Sequence, residues 1–136
     1  DLSDAANQPM IFDDCYIIFN GMIYNYLELK KELNNFFQFK TNSDTEVILA
    51  SYLKWGSECF EKFEGMFSIV IWNNKSKELV VSRDRLGIKP LYYRILDKKL
   101  FISSEIKPLL RVDSYKINDE VISKYFKYSL YEFGKF

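Results

Sequence analysis

The sequence predicts an α+β fold with an antiparallel sheet, and the order of its elements is the main reason. Helical patterns come first, two consecutive hairpins follow, and helical patterns return near the end. Strands and helices do not alternate as they would in a parallel sheet. With 136 residues, 48% of them hydrophobic and 28% charged, the chain has the size and composition of one globular domain.

The charge balance and the short apolar runs exclude several classes of partner. Nineteen basic residues balance nineteen acidic ones, and no basic cluster exceeds a pair of lysines, so we expect no nucleic-acid binding. Apolar runs such as Met66–Trp72 are far shorter than the roughly 20 residues of a membrane span, so we expect no membrane insertion. Two cysteines are too few for the disulfide framework of a small secreted domain, which favours a cytoplasmic location.

Histidine is absent, and this limits the chemistry. Without it the chain cannot form a Ser-His or Cys-His catalytic pair or a histidine-containing zinc site. We therefore expect no metal and no cofactor in this chain, and a catalytic base of another kind.

The opening of the chain predicts one strand after an irregular lead-in. Residues 1–14 are rich in polar residues and indicate no regular element. The apolar run Cys15–Phe19 is typical of a strand buried on both faces, and the dipeptide Asn20-Gly21 predicts the turn that ends it.

Three helical segments are predicted next, each from a capping residue and an apolar stripe. They begin at Asn25, Ser43 and Ser57, and the second and third end at Gly56 and Gly65. The residues expected to face inward are Leu29, Leu33, Phe36, Val47, Ile48, Tyr52, Trp55, Phe60 and Phe63.

Two hairpins are predicted in the second half of the chain. The first joins Met66–Trp72 to Glu78–Ser82 through a polar turn, and the second joins Leu91–Leu96 to Lys99–Ser103 through Asp97-Lys98.

The connector between the hairpins, Arg83–Pro90, is interpreted as a solvated turn, with an interface to a further domain as the alternative. After the second hairpin, Ser104 is expected to cap a short helix that ends at Leu110. Asn118 is expected to open a last helix, whose inward-facing residues are Val121, Tyr125 and Phe126.

Six motifs in a fixed order give the chain a resemblance to a known family. They are Asn20–Tyr26, Ser43–Leu49, Trp55-Gly56, Gly65–Phe67, Arg83–Tyr93 and Ser104–Lys107. Together with the opening Asp1–Ser3 and Asn7–Met10, they make the chain similar to the glutaminase half of asparagine synthetase. The resemblance implies an Ntn-type four-layer αββα sandwich with antiparallel sheets.

The resemblance also implies a domain organisation. Residues 1–136 are expected to be a partial type 2 glutamine amidotransferase domain that is incomplete at its N-terminus. Residues 1 to about 110 would be the sheet core, and residues 111–136 a helical segment that leads toward an absent synthetase domain.

In this family the thiolate of an N-terminal cysteine attacks the side-chain amide of glutamine, with its own α-amino group as base. An α-amine with a pKa of about 7.7 to 8 can accept a proton near neutral pH, so no histidine is needed. The implied parent protein hydrolyses glutamine to glutamate and ammonia for the ATP-dependent amidation of aspartate. Its implied partners are glutamine and a synthetase domain that binds ATP and Mg²⁺, and a homodimeric parent is left open.

Asn20 and Gly21 match the family's oxyanion-hole pair. The Asn side-chain N–H and the Gly backbone N–H would donate to the oxygen that becomes negative in the tetrahedral intermediate. Standing alone, the dipeptide would be interpreted as a simple turn after a strand.

Asp44 and Met22 occupy the other substrate-binding positions. Asp44 matches the acid that binds the α-ammonium of glutamine, and it would also gain from the dipole of its helix, while Ser43 and Glu46 are interpreted as capping residues. Met22 stands where the family usually has Glu; it carries no charge, so we expect weaker glutamine binding, or else simple packing against its neighbours.

Neither cysteine is expected to be the nucleophile. Cys15 lies five residues before Asn20 on a strand, about 17 Å away at roughly 3.3 Å per residue, and Cys59 is interpreted as a buried apolar residue. We therefore expect the chain alone to be inactive. Two alternatives stay open: a non-catalytic domain of the same fold, and the glutaminase half of a sugar or antibiotic amidotransferase.

Overall fold

The structure, a computed structural model, describes residues 3–112, 115–116 and 118–128. Over these residues the strands are β1 (Met10–Phe12), β2 (Cys15–Ile23), β3 (Gly65–Asn73), β4 (Glu78–Arg83), β5 (Tyr92–Leu96) and β6 (Lys99–Ser103). The α-helices are α1 (Tyr26–Leu33), α2 (Asp44–Trp55), α3 (Ile106–Leu110) and α4 (Asp119–Tyr128), and 3-10 segments cover Asp4–Ala6 and Gly56–Lys62. The α+β class and both predicted hairpins are confirmed.

The chain forms two compact units, residues 1–92 and residues 93–136. The first contains a four-stranded antiparallel sheet in the order β1-β2-β3-β4, together with α1 and α2. The second contains the β5–β6 hairpin, with α3 beside β6, and α4.

The core of the first unit lies between the sheet and its two helices. Alternate residues of β2 and β3 point toward the helices, because successive side chains of a strand face opposite sides of the sheet. The fully buried side chains at the centre of this core are Ile17, Ile23, Leu33, Val47, Ile48, Leu49, Ile69 and Ile71.

β2 differs from its prediction in both length and burial. It continues through Asn20 and Gly21 to Ile23, because it pairs with β3 along its whole length. Its residues alternate between buried and exposed, so one face is buried rather than both. The lead-in is not wholly irregular either, since β1 pairs with the first residues of β2 through a two-residue turn, Asp13-Asp14.

The face of the sheet opposite the helices is apolar and partly exposed. Its residues with relative exposures between 38% and 57% are Ile11, Tyr16, Ile18, Met22, Leu79 and Val81. A sheet with apolar side chains on both faces needs a layer on each of them to bury its surface. This is the pattern expected for an inner sheet of a sandwich.

The N-terminus of α1 lacks the side-chain cap that the sequence predicted. Asn25 lies at the N-cap, but its side chain makes no cap bond; its Nδ2 donates to Lys62 O at 2.9 Å and its Oδ1 accepts from Glu64 N at 3.1 Å. Asn25 therefore ties the end of β2 to the segment before β3. Phe36 lies beyond the helix and is half exposed, and Phe37 takes the buried place instead.

The remaining helices confirm some boundaries and correct others. Gly56 ends α2 at a φ of 59°, but the predicted third helix is a 3-10 segment. α3 begins at Ile106, two residues after Ser104.

Asn118 caps α4, since its Oδ1 accepts from the N–H groups of Glu120 and Val121. The prediction that Tyr125 and Phe126 face inward was wrong, because they are 48% and 81% exposed. Phe126 lies five residues after Val121, which on a helix is a rotation of about 140° away from it.

Candidate functional site

The edge of β2 that faces away from β3 is the centre of the candidate site. Gly21 lies opposite Phe67 of β3. Both backbone groups of Phe67 bind Asp84 instead: its N–H donates to Oδ2 at 3.2 Å, and its carbonyl accepts from Asp84 N at 2.8 Å. Backbone groups alternate in direction along an antiparallel strand. The N–H groups of Phe19, Gly21 and Ile23 therefore all point away from β3.

These three N–H groups differ in their hydrogen-bond partners. Phe19 N donates to Gln8 Oε1 at 2.6 Å, and Ile23 N donates to Asp44 Oδ2 at 3.1 Å. The N–H of Gly21 lies between them, and the described part of the chain offers it no strand partner, because the pairing of β1 ends at Ile17. Gly21 N and Ile23 N are separated by two residues, about 6.6 Å along a strand.

Gly21 is required by the close approach of β3. Its φ of 156° is rare for residues with a side chain. A Cβ at this position would lie 2.1 Å from Met66 O and 2.8 Å from Phe67 Cα. No other residue fits without moving the backbone.

Asp44 reaches this edge from the first turn of α2. Ser43 caps the helix by accepting a hydrogen bond from Thr45 N at 3.2 Å, as predicted. The helix N-terminus favours a carboxylate at Asp44. One oxygen of that carboxylate binds Ile23 N, and Oδ1 has no hydrogen bond within the described residues.

Asn20 and Met22 lie on the exposed face of the sheet, next to the edge. Both side chains point away from the helical core, and Met22 is 52% exposed. The side-chain amide of Asn20 has no hydrogen-bond partner within the described residues. The fold thus brings the four predicted site residues to one end of β2, with Asp44 beside the edge.

The site lies along an open edge of β2. A cavity of about 100 Å³ lies elsewhere, between β1 and the segment before α2. Its lining residues are Met10, Ile11, Phe12, Phe37, Lys40, Thr41, Glu46 and Leu49.

Two residues at the site were missed by sequence reasoning. Gln8 belongs to a motif that supports the resemblance, but its contact with Phe19 spans eleven positions and leaves no local pattern. Glu46 is not the capping-box partner of Ser43; its carboxylate binds Lys40 N and Thr41 N instead. A buried acid in an apolar helical stretch was the available signal.

Both cysteines are free, buried and poor nucleophiles. Cys15 is 3% exposed and Cys59 is 0% exposed. Burial, followed by the charges of Asp13 and Asp14, raises the pKa of the Cys15 thiol. Burial raises the pKa of Cys59 to about 12. Since the thiolate is the reactive form, neither residue can act as the nucleophile near neutral pH.

The connector after β4 is organised from within rather than solvated throughout. Asp84 is 6% exposed, and besides Phe67 N it accepts from Ile88 N at 2.8 Å and from Lys89 N at 2.9 Å. Burial acts to raise the pKa of Asp84, but these backbone donors outweigh it and hold the pKa below its ordinary value. The interpretation of the connector as a solvated turn was therefore wrong at Asp84, which is buried.

Arg83 fixes the other side of the same connector. Its Nε donates to Lys89 O at 2.6 Å, and its Nη2 donates to Gly87 O. Gly87 has a φ of 64°, and a Cβ there would lie 2.9 Å from the guanidinium carbon of Arg83. The charges of this loop thus have a structural role.

Comparison with known proteins identifies the family of this chain. The model of the glutamine amidotransferase domain family matches residues 1–134. The chain belongs to this family. Among the described residues, no helix has the length and apolar character needed to cross a membrane, and no group of three or more His, Cys, Asp or Glu side chains could hold a metal ion.

Two curated relatives align with most of this glutamine amidotransferase chain. Asparagine synthetase (glutamine-hydrolyzing) 1 of Bacillus subtilis strain 168 is 41% identical over 92% of this chain. Putative asparagine synthetase (glutamine-hydrolyzing) 2 of Methanocaldococcus jannaschii is 38% identical over 93% of it. The chain spans only 20% and 28% of the lengths of these two proteins.

A solved structure shows the fold. Glutamine phosphoribosylpyrophosphate amidotransferase from B. subtilis superposes with a TM-score of 0.70 at 23% identity, over 79% of this chain and 26% of the other. At this identity the likeness concerns the fold alone, and it confirms the predicted Ntn-type α+β architecture.

Proposed function

We propose that this glutamine amidotransferase domain binds glutamine along the free edge of β2, and that the full-length protein containing it hydrolyses glutamine. The observation that carries the proposal is the spacing of two groups on that edge. The Gly21 N–H is open, and the Asp44 carboxylate lies at the N–H two residues further along.

This spacing matches the substrate. Five bonds separate the α-nitrogen of glutamine from its side-chain oxygen, which gives a span of about 6 Å when the chain is extended. The two positions on β2 are about 6.6 Å apart. A glutamine lying along the edge can therefore bring its ammonium to Asp44 and its amide oxygen to Gly21.

Each residue has a defined role in this arrangement. The N–H of Gly21 and the side-chain amide of Asn20 donate to the amide oxygen as it becomes negative; loss of one such donor typically lowers kcat by about 10²- to 10³-fold. Asp44 binds the α-ammonium, which is remote from the reacting carbon. Met22 adds no charge, so Asp44 provides the carboxylate for the ammonium on this edge.

The nucleophile in this proposal comes from outside these 136 residues. Cys15 and Cys59 are buried with raised pKa values, so the chain contributes binding and oxyanion groups, and we expect it to be inactive alone. The relatives' names favour asparagine synthesis as the use of the ammonia. In this proposal a further synthetase domain, which the family resemblance implies, binds ATP and Mg²⁺ and amidates aspartate. The two free cysteines are compatible with a reducing cytoplasm.

A second candidate function is a non-catalytic domain of the same fold. Met22 favours it, because a thioether cannot replace the family's carboxylate. A sugar or antibiotic amidotransferase would use the same edge, since the acceptor is bound elsewhere.

The test is glutamine-dependent release of glutamate and ammonia by the full-length protein. Asp44→Asn should raise KM for glutamine by roughly tenfold to a hundredfold, the value of a lost charge-assisted hydrogen bond, with little change in kcat. Glu28→Gln also replaces a carboxylate by an amide, but at an exposed position on α1; it is the control and should leave KM unchanged.

Two outcomes would oppose the proposal. An unchanged KM in Asp44→Asn would remove Asp44 from the site. Absence of glutamine hydrolysis in the full-length wild type would favour the non-catalytic domain.

A further inference from the structure

Glu46 is a buried carboxylate that the proposed mechanism does not use. It is 6% exposed and lies in the third position of α2. Its Oε1 accepts from Lys40 N at 2.8 Å, and its Oε2 accepts from Thr41 N and from Thr41 Oγ1, both at 2.7 Å. All three donors belong to the segment that precedes the helix, so Glu46 fixes that segment.

The segment connects Glu46 to the substrate-binding acid. Ser43 N donates to Thr41 Oγ1 at 3.1 Å, and Ser43 Oγ caps α2. Asp44 is the next residue, and its carboxylate receives the Ile23 N–H. An unbroken series of hydrogen bonds thus leads from Glu46 through Thr41 and Ser43 to the start of α2.

The same segment is held from the side of α1. Lys30 Nζ donates to Thr41 O at 2.7 Å and to Asn42 Oδ1 at 3.3 Å, and it lies 5.0 Å from the centre of the Phe39 ring. The contacts of Lys30 are partly exposed, whereas those between Glu46 and Thr41 are buried. The inner set therefore has the larger influence on the position of the backbone.

We propose that Glu46 is a positioning residue: it fixes residues 40–43 and thereby holds the Asp44 carboxylate at the edge of β2. This inference rests on the proposed function for its effect on glutamine binding, but not for its effect on the Asp44–Ile23 contact.

A carboxylate is needed here because donors approach both of its oxygens. A glutamine side chain has one acceptor oxygen and one NH₂ group, so in Glu46→Gln a donor would face either Lys40 N–H or the Thr41 donors. The volume stays the same, and only the acceptor on one side is lost. The segment then shifts away from the helix, and Asp44 shifts with it.

The first measurement is hydrogen exchange by mass spectrometry on the full-length protein, in peptides that cover the end of β2. Glu46→Gln should reduce the protection of the Ile23 amide by about tenfold, which approaches the loss expected in Asp44→Asn. Either change weakens the hydrogen bond from Ile23 N to the Asp44 side chain. Ser51→Ala is the matched control: Ser51 is fully buried in the same helix, but its hydroxyl donates to Val47 O at 2.7 Å and so to the helix itself. It should leave the protection of Ile23 unchanged.

The second measurement is kinetic. Glu46→Gln should raise KM for glutamine by about tenfold with kcat nearly unchanged, while Ser51→Ala should change neither. If Glu46→Gln fails to fold, Thr41→Val provides the same test, because it removes the hydroxyl that links Glu46 to Ser43 and keeps the side-chain volume.

The outcomes separate this inference from the proposed function. If Ile23 stays protected in both Glu46→Gln and Thr41→Val, or is deprotected equally in Ser51→Ala, Glu46 has no positioning role. If Ile23 loses protection in Glu46→Gln but no variant or wild type hydrolyses glutamine, the positioning holds and the proposed function fails.

Discussion

Gly21→Ala should be among the most damaging single substitutions in this chain. The added Cβ would meet Met66 O at 2.1 Å, and the φ of 156° is unfavourable for alanine. Backbone strain of this kind costs about 1 to 3 kcal/mol, and overpacking a further 1 to 3 kcal/mol, so the expected loss is about 2 to 6 kcal/mol of unfolding free energy. Equilibrium unfolding in urea, followed by the fluorescence of Trp55 and Trp72, would measure it.

Gly56→Ala is the matched control for this prediction. Gly56 also has a positive φ, 59° with a ψ of −146°, but nothing lies within 4 Å of a Cβ there. Gly56→Ala should lower the unfolding free energy only by the backbone strain, about 1 to 3 kcal/mol. If Gly21→Ala is no more destabilising than Gly56→Ala, β3 does not approach β2 as closely as described. The pairing that turns the Gly21 N–H away from β3 would then be wrong as well.

Further outcomes are expected at the ammonium site, the connector and the cysteines. Met22→Glu in the full-length protein should lower KM for glutamine by roughly tenfold to a hundredfold with kcat little changed; an unchanged or raised KM would show that Met22 does not lie at the ammonium. The folded pKa of Asp84 is lowered, so Asp84 stabilises the protein above its ordinary pKa of 3.8, and this contribution is lost as the pH falls through the lowered value. Unfolding curves of wild type and Asp84→Asn should therefore differ at pH 7 and converge in acid; a constant difference would contradict this. Cys59, with a pKa of about 12, should be alkylated by iodoacetamide at pH 8 only after urea is added, and rapid labelling of the folded chain would contradict its burial.

Features that depend on neighbouring residues were predictable from the sequence. The cap at Ser43, the end of α2 at Gly56 and the hairpin turn at Asp97-Lys98 all appear as expected. Each depends on backbone preferences or hydrogen bonds within a few positions, and those leave a local pattern. The motif around Asn20 and the family resemblance also come from the sequence.

Sequence reasoning failed where a distant segment decides the outcome. The dipeptide Asn20-Gly21 is typical of a turn, yet it lies inside β2, because pairing with β3 outweighs the local preference. Glu46 has the spacing of a capping box with Ser43, yet two backbone donors of the preceding segment are better placed for its carboxylate.

The sequence by itself determined the fold class, the family resemblance and the identity of the four candidate site residues. Only the tertiary structure decided that the Gly21 N–H points away from β3 and that Asp44 lies at the N–H of Ile23, two residues further along. The reason is that Ile23 and Asp44 are 21 positions apart, and Phe67 and Asp84 are 17 apart, while the patterns of a helix or a strand extend over only a few residues. Which N–H groups of a strand stay free depends on which strand pairs with its other edge, and that is settled when the sheet assembles.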